Sequence, residues 1–61
     1  MKFTIENHGT IFLVRPLSES AARWLQDTAP EEAQFFGDAL AVEHRYVEGV
    51  LGAIFEAGGE L

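Results

Sequence analysis

Apolar residues change their spacing along this chain, and the change dictates a fold that mixes strands with helices. Lys2-Phe3-Thr4-Ile5-Glu6-Asn7 alternates polar and apolar, as a half-buried strand does, with Phe3 and Ile5 facing inward. His8-Gly9 follows, and Thr10-Ile11-Phe12-Leu13-Val14-Arg15 resumes with β-branched and aromatic residues, so the first fifteen residues read as a β-hairpin. Pro16 has no N–H for a ladder and closes the second strand. Ser18 then has the chemistry of an N-cap for a helix over residues 19–28, where Ala21, Ala22, Trp24 and Leu25 fall on one side. Pro30 stops that helix, and Pro30-Glu31-Glu32 has the form of the first turn of a short helical segment, with acids at the positive helix end.

Gly37-Asp38 reads as a turn. Ala39-Leu40-Ala41-Val42 is then a short apolar run, consistent with a third strand covered on both faces. From His44 to Ala57 the period becomes helical: Tyr46, Val47, Val50, Leu51, Ile54 and Phe55 form one stripe, and Gly58-Gly59 ends it. Gly49 and Gly52 inside this helix each cost about 1 kcal/mol relative to Ala, so a closely approaching backbone, the sheet's or a second copy's, is expected to compensate. Glu60-Leu61 offers a short final edge strand. The order is ββαβα with that possible last β: a small α+β two-layer sandwich, helices on one face of a mostly antiparallel sheet.

One domain is all that 61 residues support, and without cysteine its stability rests on apolar packing. Seven aromatic residues spread from Phe3 to Phe55 supply that packing and distinguish the chain from a disordered acidic tail. No apolar run approaches the roughly 20 residues of a membrane span, and MKFTIENHG has no signal-peptide core, so a soluble cytoplasmic protein is expected.

Charge is unevenly distributed. Residues 1–25 carry three bases against two acids, whereas residues 26–61 carry eight acids against Arg45 alone. Asp27, Glu31, Glu32, Asp38, Glu43, Glu48 and Glu56 are the candidate residues of an acidic face, built from the connector and the outer side of the last helix. Such a face repels nucleic acid and suits a protein partner with a basic surface. Its plain competitor is solubility, for which a net charge of −6 is ordinary.

Chemistry has little to stand on. His44 and Glu48 are four apart, the spacing of a helical ion pair or of two metal ligands, but no third ligand is near in sequence. The serines and threonines have capping and strand roles, and the glycines form neither a GxGxxG nor a P-loop. Neither catalysis nor a cofactor or metal is expected. Of Phe35-Phe36, one ring is half exposed on a contact surface unless an irregular turn lets both pack. Trp24 is either a binding anchor or, as expected of a lone Trp in a small domain, the centre of the core.

The stretch Phe35-Phe36-Gly37-Asp38-Ala39-Leu40-Ala41-Val42-Glu43-His44-Arg45-Tyr46-Val47, with Asn7-His8-Gly9-Thr10-Ile11 and Arg23-Trp24-Leu25, resembles small proteins of prophages and mobile elements, among them the small acidic anti-CRISPR inhibitors of type I systems, type I-C in particular. The resemblance implies a protein that binds the Cascade complex and blocks target DNA by presenting carboxylates to the Lys/Arg surface that reads the protospacer-adjacent motif. It supplies no motif that assigns roles residue by residue. A second reading is a structural or regulatory module that self-associates or binds a partner through apolar surface near Phe35, Phe36 and the helix glycines.

Overall fold

A computed structural model describes residues 1–61. It has strands β1 (Phe3–Asn7) and β2 (Ile11–Pro16), helix α1 (Glu19–Thr28), strands β3 (Phe35–Phe36) and β4 (Ala39–Glu43), a 3₁₀ turn (His44–Tyr46) and helix α2 (Val47–Glu56). The four strands form one antiparallel sheet in the order β1-β2-β4-β3, with both helices on one face. This is the expected two-layer α+β arrangement, with one strand more than the sequence announces.

The first hairpin turns where its residues allow a left-handed backbone. Gly9 has φ +86°, the Asn7 carboxamide accepts its N–H at 2.9 Å, and the His8 N–H donates to the Ile11 carbonyl. Pro16 is the last residue of β2, opposite Phe3. Ser18 caps α1, its hydroxyl accepting from the Ala21 N–H at 3.1 Å. The end of α2 is a Schellman motif: Gly58 at φ +85° donates to Phe55, and Gly59 donates to Ile54 at 2.8 Å.

Register divides the side chains cleanly. Phe3, Val14, Leu40 and Val42 point to the helices, where Ala21, Leu25 and Ile54 complete the core. Phe3 sits at its centre, fully buried, and Trp24 packs edge-on against it with ring centroids 5.9 Å apart. Trp24 is thus half-buried at the margin of the core instead of at its middle.

Four sequence expectations are corrected. Pro30-Glu31-Glu32 starts no helix: the Ala33 N–H bonds back to the Pro30 carbonyl in a single turn, and the chain then extends. Phe35-Phe36 belongs to a two-residue strand, hairpinned to β4 through Gly37 at φ +63° and Asp38, the positive-then-negative pattern of a type II′ turn. Strand β4 is covered by helices on one face only, because Leu40 and Val42 enter the core while Ala41 faces the other way. Finally, the helical stripe of residues 46–55 is wider than the face it buries. Tyr46, at 55 % exposure in the 3₁₀ turn, and Phe55, at 54 %, stand outside it.

Glu60 adds the minimal final strand, one parallel bridge to Lys2, with its N–H donating to Met1 and its carbonyl accepting from Phe3. The closely approaching backbone expected at Gly49 and Gly52 is not the sheet, since a side chain built at either position meets nothing within 4 Å. Crowding occurs at Gly59 instead, where a Cβ would lie 2.7 Å from the Ile54 Cγ2 and 3.1 Å from the Phe3 ring.

Candidate binding surfaces

Two surfaces stand out, one on each layer. On the sheet face away from the helices, register lines up Thr4, Arg15, Ala39 and Phe36 in one row and Glu6, Leu13 and Ala41 in the next, with Ile11 level with Glu43 in a third. Gln34 extends the second row, its carbonyl accepting from the Ala41 N–H at 2.9 Å. Ala41 is small, so β4 forms the floor of a trough between Ile11 and Leu13 on one side and Phe36 and Gln34 on the other. The resulting open groove has a volume of about 400 Å³, with His8 at one end. Phe36 is 59 % exposed on its wall.

An ionic network crosses one end of this face. Arg15 donates from Nε to the Glu6 Oε2 at 3.0 Å and from Nη2 to Oε1 at 3.3 Å, His8 lies 3.3 Å from the same carboxylate, and the Asp38 Oδ1 is 3.9 Å from the Arg15 Nη1. The Arg15 hydrogen bonds hold the Glu6 carboxyl below its usual range, with His8 assisting, and Glu6 in turn raises Arg15. At the opposite end Glu43 accepts from Arg45 at 3.5 Å, and the Arg45 guanidinium lies 4.9 Å above the Tyr46 ring.

Charge therefore segregates by layer as well as along the chain. Lys2 precedes Phe3 and faces the opposite way, and its bridge partner Glu60 shares its side. The sheet side thus holds Lys2, Arg15 and Arg45 against Glu6, Asp38, Glu43 and Glu60, a net −1. The helices and the α1–β3 connector hold Arg23 against Glu19, Asp27, Glu31, Glu32, Glu48 and Glu56, a net −5, and the two sides sum to the −6 of the chain.

The seven sequence-nominated acids divide accordingly. Asp27, Glu31, Glu32, Glu48 and Glu56 belong to the helices and the connector, all exposed, and none has a basic nitrogen within 4 Å; Glu32 stands at the sheet edge, bordering a cavity with Gln34, Ala41 and Glu43. Asp38 and Glu43 belong to the sheet side and approach Arg15 and Arg45. Glu19, not among the seven, joins the helix side, where it lies 4.0 Å from Arg23. The second expected contact surface also separates. Phe35 packs against the core, Phe36 stands on the bare sheet face, and the glycines of α2 lie on the other layer.

Helix-end electrostatics gives ordinary structural work to few of the five. Glu48 suits the first turn of α2. Asp27 and Glu56 lie in the last turns of α1 and α2, where the helix dipole presents negative charge and no base is present to offset it. Glu31 and Glu32 have no helix start to complement, because none forms there.

His44 and Glu48 make no ion pair; the change from 3₁₀ to α geometry between them breaks the four-residue register. No three His, Asp or Glu side chains converge as metal ligands, and no helix is long and apolar enough to cross a membrane. No protein-family model, curated protein or solved structure matches this chain.

Proposed function

We propose that this chain is a non-enzymatic inhibitor that occupies the basic DNA-binding surface of a protein partner, its carboxylates standing where DNA phosphates would. The Cascade complex of a type I CRISPR system is the partner implied by the resemblance of its sequence. The observation that carries the reading is the placement of Asp27, Glu31, Glu32 and Glu56. These acids share the layer of net −5, have no cation partner, and either oppose a helix dipole or lack a helix to cap. Charges that folding does not use, gathered on one side, suit a cationic partner. Duplex DNA presents about one negative charge per 1.7 Å of axis, and a rigid display of carboxylates competes for the same Lys and Arg side chains.

Capture of the protein by purified Cascade tests this, with Glu31→Lys/Glu32→Lys as the perturbed variant. Binding should compete with target duplex and weaken steeply as salt rises, and the double reversal should abolish it. Undiminished binding by the reversed protein would refute phosphate mimicry. Binding that leaves duplex association untouched would refute the blocking mechanism.

A further inference from the structure

The bare sheet face carries a different kind of information from the acidic layer. Its trough over Ala41 is apolar, and the ring that stands proud beside it, Phe36, belongs to the same face. Hole and knob therefore sit next to each other on one surface, the arrangement that a two-fold axis turns into mutual insertion.

Electrostatics selects the same pairing. Two copies meeting through their helix layers would oppose net charges of −5, whereas two copies meeting through their sheets oppose −1, with Lys2, Arg15 and Arg45 interspersed among the four acids of that side. The walls of the trough, on β2 and β3, are two strand spacings apart, roughly 10 Å, which admits an aromatic ring. We infer that the uncovered sheet face is where two copies of this chain meet, each seating Phe36 in the Leu13–Ala41 trough of the other.

Size sets the strength of this contact. The Cα framework measures 26 × 19 × 18 Å, so its largest face projects about 500 Å², below the roughly 800 Å² per partner of a standard stable interface. The dimer is accordingly weak and transient. It leaves the acidic layer of each copy outward, and it stands or falls independently of the phosphate-mimic reading.

Sedimentation velocity on the full chain over a concentration series from about 10 µM to about 1 mM tests the inference directly. The weight-average mass should climb from 6.7 kDa toward twice that value, with little response to salt. Phe36→Ala should weaken the association about tenfold, as loss of a buried aromatic anchor does. Ala41→Arg should abolish it, and Glu48→Gln on the other layer should leave it unchanged. Thermal melts of each variant establish that it is folded. Amide NMR shifts that depend on concentration should cluster at Ile11, Leu13, Phe36 and Ala41. Monomeric sedimentation across the series overturns the proposal, including the case in which the groove takes another protein's side chain. So does a dimer indifferent to both Phe36→Ala and Ala41→Arg, or one whose shifts map to α2.

Discussion

The same substitution at three glycines should move stability in opposite directions. At Gly49 and Gly52 an added Cβ meets nothing within 4 Å, and neither residue has positive φ, so alanine gains helix propensity at no steric cost. Each change should stabilise by about 0.5–1 kcal/mol. The two together should add about 1–2 kcal/mol. In a domain of this size each kcal/mol moves the melting midpoint by roughly 4–8 °C, so the double variant should melt about 5–15 °C higher. At Gly59 the Cβ would stand 2.7 Å from the Ile54 Cγ2, 3.1 Å from the Ile54 carbonyl oxygen and 3.1 Å from the Phe3 ring. The carbonyl belongs to the Schellman hydrogen bond and cannot retreat without breaking it, so Gly59→Ala should cost about 1–3 kcal/mol, the range of overpacking. A domain of 61 residues has only about 3–9 kcal/mol in all. Urea and thermal denaturation followed by helical circular dichroism and Trp24 fluorescence would measure all three. Destabilisation by Gly49→Ala/Gly52→Ala would refute the claim that α2 presents a bare outer face. A neutral Gly59→Ala would refute the claim that crowding against Phe3 selects glycine there.

Asp27→Asn and Glu56→Gln should each raise stability by about 0.3–1 kcal/mol by relieving a helix C-terminus, while weakening capture by a basic partner; denaturation midpoints and salt-dependent binding measured on the same variants check both halves. Because the folded chain holds the Glu6 carboxyl below its ordinary value of 4.5, the Glu6–Arg15 pair contributes stability above that pH and loses it as pH falls through the lower folded value. Glu6→Gln should therefore flatten the acid limb of a urea-midpoint profile and leave the profile above neutrality parallel to that of the parent. Leu25→Ala, which empties a site at the middle of the core, should cost about 2–5 kcal/mol and leave much of the chain unfolded at 37 °C by circular dichroism.

What could be read from the sequence was what neighbouring residues decide among themselves. The first hairpin is announced by alternation and by Asn7 and Gly9, the α1 cap by Ser18, and the α2 terminus by Gly58-Gly59, each a signal spanning a few residues. What remained hidden depends on distant partners. Two residues cannot look like a strand, and Phe35-Phe36 become one only because β4 is there to pair with them. Pro30-Glu31-Glu32 looks like a helix start, but Gln34 must bond to Ala41, and a chain aimed at the sheet has no room for another helical turn. Alanine misled in a different way: Ala41 counts as apolar in a pattern, so the run read as buried on both faces, whereas its small size is what leaves a trough in the uncovered one. For the acids, position along the chain anticipated a common side for five of seven. Asp38 and Glu43 escaped because the β3–β4 turn brings Asp38 toward Arg15, and the β2–β4 register puts Glu43 opposite Ile11 on the sheet side, where Arg45 approaches it.

Charge divided by layer gives the molecule a permanent electric dipole. The negative pole lies on the helix side and the relatively positive one on the sheet, so a basic surface exerts a torque as well as an attraction. At physiological ionic strength the field reaches only about 8 Å, less than half the smallest dimension of the molecule, 18 Å. The rotation therefore occurs in the last step of approach, when one layer feels the partner and the other does not. A molecule arriving sheet-first offers a basic surface only its net −1 side and is held weakly, whereas one arriving helix-first is held by the −5 layer, with the uncovered strands pointing away.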